Sequence, residues 1–219
     1  MKYDLRFWVV WEAAPDLLRG AQVTLLIAVA TMVGGLVLAF PLAIARRRDH
    51  GLLRSGAAAW VEAARNTPCL FQIYAFYFGL GAFGIFLDAW AATSLALLFN
   101  NAGYTAEILR GGLAAVSPNQ MKAARSLGLT ERHAYLAVIV PQVLRIVYYP
   151  LTNQFIWSLL NSSLGAIVGL TDLSGVAMVY QSSTFRTFEF FLVIGAIYFL
   201  MAKGVLGLAR VSAWRLFRY

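Results

Sequence analysis

The sequence is short of charge. Asp, Glu, Lys and Arg make up 13% of its 219 residues, about half of the roughly 25% that a soluble domain carries. That is too little to coat a water-exposed globule. It has one cysteine, Cys69, which excludes an intrachain disulfide and a cysteine metal cluster. Its two histidines, His50 and His133, stand far apart, on opposite sides of two long apolar stretches, and offer no histidine metal site. No G-x-x-x-x-G-K-S/T run occurs, so no P-loop nucleotide site is expected on this chain. Acidic residues are scarcer than basic ones, 10 against 18, which leaves a net charge of +8.

What is present instead is long apolar sequence. Residues 21–45, 66–87 and 146–171 contain no Asp, Glu, Lys, Arg or His, and a bilayer core needs about 20 apolar residues as helix. Each run is long enough to cross. The first twenty residues hold Lys2, Asp4, Arg6, Glu12, Asp16 and Arg19 around a short apolar patch. A cleaved signal peptide is therefore not expected, and the first long run reads as a retained span.

The positive charge is distributed in a telling way. Arg46, Arg47, Arg48 and Arg54 follow the first run; Arg110, Lys122, Arg125, Arg132 and Arg145 surround a polar stretch near the middle; Arg210, Arg215 and Arg218 close the chain. Such clusters mark the cytoplasmic ends of membrane helices and not a nucleic-acid surface. Placing them inside gives an all-α membrane protein with five transmembrane helices, its N-terminus outside and its C-terminus cytoplasmic. The expected spans cover about 20–45, 56–80, 89–109, 138–161 and 188–209, and residues 162–186 lie outside or dip back into the membrane. Residues 1–219 read as a single transmembrane domain with a polar cytoplasmic loop at about 111–137. An odd number of spans argues against two equal inverted halves.

Polar groups within spans are costly and need a reason. They are Glu62 with Arg65, Gln72, Asn100 with Asn101, Glu107, Asn153, Asn161 and Lys203. Glu107 and Arg110 are spaced to pair along a helix, and Lys203 can snorkel to the interface. Asn153 and Asn161 fit equally well as interhelical glue or as the lining of a substrate path. Pro68, Pro141 and Pro150 free backbone carbonyls near span ends, which is tolerated where helices line a cavity.

The polar stretch NQMKAARSLGLTERHAYLAVIVPQ (119–142) has helix punctuation at both ends. Ser117 can cap, Pro118 suits the first helical position and Gln120 can return a bond to the cap. Gly128 fits the stop, and Thr130 can cap the next helix. The short helix between, at about 118–127, presents Lys122 and Arg125 beside a smooth alanine side of Ala123 and Ala124. With only Met121 and Leu127 as large apolar anchors, docking to protein is favoured over resting on lipid.

These residues resemble a known pattern, the EAA loop of ABC-importer permeases. The matching elements are Lys122-Ala123-Ala124, Gly128, then Val138-Ile139-Val140-Pro141, with the spacing intact. The flanks are similar to the polar amino-acid branch of that family: YTAEILRGG (104–112) to AYxAEIxRGG, RNTP (65–68) to RGTP with Gln72 following, PQVLR (141–145) to PQALR, and NSSL (161–164) to its K-D-S/T-S-L segment. Five segments occur in order on a five-span frame.

The resemblance implies the transmembrane subunit of an ATP-driven importer of polar amino acids in the bacterial plasma (inner) membrane. It implies no catalytic residue and no cofactor on this chain, with ATP and Mg held by a separate cytoplasmic ABC ATPase dimer. A second permease chain, identical or paralogous, would complete the path, and an extracytoplasmic amino-acid-binding protein would deliver substrate. The ATPase-coupling residues carried over are Gln120, Lys122, Ala123, Ala124, Arg125, Leu127 and Gly128. The pathway candidates are Gln72, Asn153, Asn161 and Ser163. Lys122 stands where the family pattern has Glu, Gly103 where it has Ala, and Leu160-Asn161 where it has Lys-Asp. Two other readings compete. An ion-coupled secondary carrier needs coupling groups at mid-membrane, whereas Glu62 and Glu107 lie near inner ends. An intramembrane enzyme needs a nucleophile beside a base, or a metal pair, and no span offers either.

Overall fold

The computed structural model describes residues 4–47 and 50–217; Lys2, Arg48 and Arg218 lie outside the described residues. Among those described, every regular element is helical. A short helix α1 (Trp8–Glu12) leads into α2 (Ala14–Arg46), whose 33 residues make it about 50 Å long. One seam of α2, Ile27, Thr31, Gly35, Ala39 and Ala43, is buried, while Leu26, Val33, Val37, Phe40 and Ile44 are exposed. That spacing is helical, and the buried seam is made of small side chains that let another helix come close.

The helix that comes close is α5 (Ala89–Ala115), the centre of the bundle. Between α2 and α5 lie α3 (Leu52–Asn66) and α4 (Cys69–Tyr74), the latter extended by a π-helical turn at Ala75–Gly79 and a 3-10 turn at Leu80–Phe83. After α5 come α6 (Pro118–Ser126), α7 (Glu131–Ala134), a π turn at Tyr135–Ile139, and α8 (Val140–Asn161). A 3-10 stretch at Ser162–Val168 precedes α9 (Leu173–Thr184), and α10 (Thr187–Leu216) closes the chain.

Among the described residues, three helical runs are long and apolar enough to cross a membrane: Ala14–Arg46, Glu131–Val168 and Thr187–Leu216. The other two expected spans differ from these for physical reasons. The span expected as one helix over 56–80 is broken between α3 and α4. Pro68 has no N–H and pushes Thr67 out of the helical region, and Thr67 is extended at φ −117°, ψ 144°. The span expected at 89–109 is the continuous helix α5, but Asn100, Asn101 and Thr105 make its middle polar; all three are buried against neighbouring helices.

The break leaves carbonyls at the end of α3 without helical partners. Three of them find a side chain. Ala63 O accepts from Thr67 Oγ1 at 2.7 Å. Ala64 O accepts from Gln72 Nε2 at 3.0 Å and Asn100 Nδ2 at 3.1 Å. Arg65 O accepts from Tyr104 OH at 3.3 Å. A broken helix inside a bundle is stable when its freed groups are satisfied in this way.

Close packing secures the rest. A Cβ on Gly103 would fall 2.4 Å from the Ala64 Cβ, which explains why glycine stands where the family pattern has alanine. At the far end from α6, Asp172 caps α9 by accepting from Gly175 N at 2.9 Å and ties it to α2 and α10 through Thr24 Oγ1 and Tyr198 OH.

Candidate functional site

Two surfaces stand out, a cavity between helices and an exposed helix at one end. The cavity has a volume of about 600 Å³, within the range of about 300–1,000 Å³ typical of small-molecule sites. Its walls come from α5 and α8, with the α3–α4 break between them. On α5, Asn100, Tyr104 and Ile108 line it, spaced four apart and so on one face. On α8, Pro150, Asn153, Gln154, Trp157 and Asn161 line it, again one helical face. Thr67, Pro68 and Cys69 close the third side.

The polar wall has a definite hydrogen-bonding state. Asn100 Nδ2 donates to Ala64 O and to Gln72 Oε1 at 3.0 Å, which leaves its Oδ1 as an acceptor. Gln154 Nε2 donates to Asn101 Oδ1 at 3.0 Å. The Asn153 and Asn161 side chains make no hydrogen bond within the described residues. Of the four pathway candidates, the structure therefore brings Asn153 and Asn161 together on the cavity wall. Gln72 stands behind the wall. It is buried, with Nε2 within 2.9–3.2 Å of Ala64 O, Thr67 O and Thr67 Oγ1. Ser163 turns its hydroxyl to Leu160 O at 2.7 Å and does not line the cavity.

A smaller cavity of about 330 Å³ shares Tyr104, Ile108 and Pro150 with the first and continues toward the α6 end along Gly111, Gly112 and Ile146. Arg65 and Glu107 line it. Glu107 draws three guanidinium groups from three helices. Arg46 Nη1 lies 2.6 Å away, Arg110 Nη2 2.6 Å and Arg65 Nη1 3.7 Å. The pairing expected of Glu107 with Arg110 is present, and the other two arginines were not legible from sequence spacing. Glu62, expected from the sequence beside Arg65, instead accepts from Asn66 Nδ2 at 2.6 Å.

The exposed helix is α6, where Ser117 Oγ accepts from the Asn119 amide at 3.3 Å. Gly128 stops it at φ +83°, a left-handed conformation that favours glycine. Thr130 caps α7 through His133 N at 3.3 Å. Of the coupling candidates, Gln120, Lys122, Ala123, Leu127 and Gly128 are exposed, Leu127 at 84%. Ala124 is buried, and Arg125, though exposed, spends Nη1 on Leu129 O at 3.0 Å. Met121 packs on a buried cluster that includes Ala43, Leu109, Val116, Ile139 and Val143. That cluster joins α6 to the α5 and α8 helices that also form the cavity.

Sequence reasoning missed Trp157, Tyr104 and Gln154 as cavity residues. For Trp157 and Tyr104 the signal was present as the four-residue spacing with Asn153, Asn161 and Asn100; Gln154 has no such spacing with them.

Comparison with known proteins agrees with this arrangement. Residues 32–218 match the family described as the binding-protein-dependent transport system inner membrane component. The octopine transport system permease protein OccM of Rhizobium radiobacter is 33% identical over 225 residues, covering 99% of this chain and 91% of that protein. The probable glutamine ABC transporter permease protein GlnM of Bacillus subtilis is 37% identical over 178 residues, 81% of this chain and 82% of that one. A crystal structure of an amino acid ABC transporter with histidines superposes with a TM-score of 0.90 at 33% identity, covering 97% of this chain and 100% of that one.

Proposed function

Because the chain belongs to the family of binding-protein-dependent transport system inner membrane components, we propose that its cavity is the path for a polar amino acid and that α6 docks a separate ATPase. The chain is a permease subunit of an amino-acid ABC importer, a multi-pass protein of the bacterial inner membrane. The observation that carries the path is the apposition of one α5 face and one α8 face, both bearing carboxamides, over a cavity of about 600 Å³.

The membrane arrangement follows from lengths and charges. α3 alone, at 15 residues, reaches about 22 Å and falls short of a hydrocarbon core of about 30 Å. With α4 and its continuation it crosses as one broken span, and α2, α5, α8 and α10 supply four more. Arg46, Arg47, Arg110, Lys122, Arg125 and Arg132 all belong to the α6 end, a distribution that supports a cytoplasmic position for that end. The whole chain then acts as one transmembrane domain, with its N-terminus outside.

Coupling runs through packing. A push on exposed Lys122, Ala123 and Leu127 reaches Met121 and the cluster beneath it, and so shifts α5 against α8. Alternating access follows if that shift opens the cavity to one side at a time. The ATPase dimer holds ATP and Mg, a second permease chain faces this one, and an extracytoplasmic binding protein loads the substrate.

The experiment is reconstitution. The chain purified with its ATPase and second permease chain should give ATP-dependent amino-acid uptake in proteoliposomes loaded from the binding protein. Uptake by this chain alone, driven by an ion gradient, would refute the proposal.

A further inference from the structure

Among the described residues, the wall of the larger cavity carries no Asp, Glu, Lys, Arg or His. Its polar character comes from Asn100, Asn153, Gln154 and Asn161, with the Thr67 and Tyr104 hydroxyls and the Cys69 thiol. Carboxamides both donate and accept. They can match the ammonium and the carboxylate of a zwitterion, and an amide or hydroxyl on its side chain. A further formal charge finds no counter-charge there, and an unpaired ion taken from water is strongly disfavoured.

The continuation toward α6 adds a second, independent bias. There Arg65 and Glu107 line the wall, and Arg46 and Arg110 also pair with Glu107, so three guanidinium groups stand against one carboxylate beside the part shared through Tyr104, Ile108 and Pro150. A substrate with net positive charge is repelled on this route.

We propose that the cavity selects amino acids of no net charge whose side chain carries a neutral hydrogen-bonding group, such as a carboxamide or hydroxyl, against both cationic and anionic ones. This rests on the reading of the cavity as the substrate path and adds the class of substrate. Asn161 and Asn153, whose amides are uncommitted among the described residues, set the discrimination.

The test is binding to the assembled transporter in detergent without its binding protein, so that the permease alone selects. Labelled glutamine is the probe, with asparagine, serine, arginine, lysine and glutamate as competitors. Neutral polar amino acids should compete, and arginine, lysine and glutamate should be about tenfold weaker or worse, the factor that a loss of about 1.4 kcal/mol produces. Asn161→Asp should improve arginine binding about tenfold relative to glutamine. Asn153→Asp makes the same test if Asn161→Asp does not assemble. Arginine, lysine or glutamate binding as tightly as glutamine overturns the inference while leaving the transport reading intact, as does an assembled aspartate variant with unchanged preference. If no amino acid of any charge binds and no ATP-dependent uptake is seen, the reading beneath it fails and takes the inference with it.

Discussion

Asn101 Nδ2 donates to Ser158 Oγ at 2.8 Å, joining α5 to α8 through two buried residues. The same nitrogen lies 3.2 Å from Thr31 Oγ1 on α2, and Asn101 Oδ1 accepts from Gln154. One carboxamide thus ties three helices, and its third partner, Gln154, is itself on the cavity wall. Interhelical pairs in a bilayer average about 0.6 kcal/mol, but Asn101→Leu would strand several buried groups at once. It should cost about 1–3 kcal/mol and lower the thermal midpoint of the detergent-solubilised protein. An unchanged midpoint would show that the network bears no weight.

Glu107 is the only carboxylate within reach of Arg46, Arg65 and Arg110 among the described residues. Glu107→Gln leaves the three guanidinium groups to repel one another, whereas Arg110→Gln leaves a carboxylate that still has two partners. The first substitution should therefore destabilise more, by about 2 kcal/mol, a partial exposure of 19% for the Glu107 side chain keeping it below the about 3–5 kcal/mol of a fully buried pair. SDS titration of the purified variants measures both. Equal losses would mean that the cluster acts as separate pairs.

What the residues reveal on their own depends on how local the cause is. The bounds of α6 were readable because Ser117, Pro118 and Gly128 act within one turn of themselves. α2 was readable from charge-free length, and α10 from an apolar run that only Lys203 interrupts between residues 190 and 209. The break at Pro68 was harder, since a proline near a span end does not say which groups will take the freed carbonyls; Gln72 and Asn100 do so from 8 and 36 residues away. For the same reason Gln72 looked like a pathway group and Asn101 did not look like the lock. Adjacent residues on α5 differ by about 100° in facing, so Asn100 meets the cavity and Asn101 meets α2 and α8.

Lys122 is exposed on α6, and its charge is opposite to that of the family's Glu at this place. If α6 docks an ATPase, the facing surface should be acidic. Lys122→Glu is expected to reduce ATPase co-purification and the ATP hydrolysis coupled to transport. Arg125→Ala should act differently, by freeing Leu129 O and loosening the turn, so it should lower the thermal midpoint of the isolated chain where Lys122→Glu does not. Normal assembly and coupling in Lys122→Glu would remove the charge argument.

Cys69 is the chain's one thiol and lies on the cavity wall, at the first position of α4 beside Pro68. It is half-buried, so a small methanethiosulfonate reagent should reach it only through the cavity. A bound substrate then blocks the approach. At a ligand concentration ten times its Kd, only about one site in eleven is empty, and modification should slow about tenfold. Cys69→Ser supplies the blank. If ATP on a partner ATPase drives alternating access through this cavity, ATP should change the side from which an impermeant reagent reacts, because Cys69 of α4 and the lining face of α8 border the same space. A modification rate that no transported amino acid alters, with Cys69 itself reacting, would place the path elsewhere in the bundle.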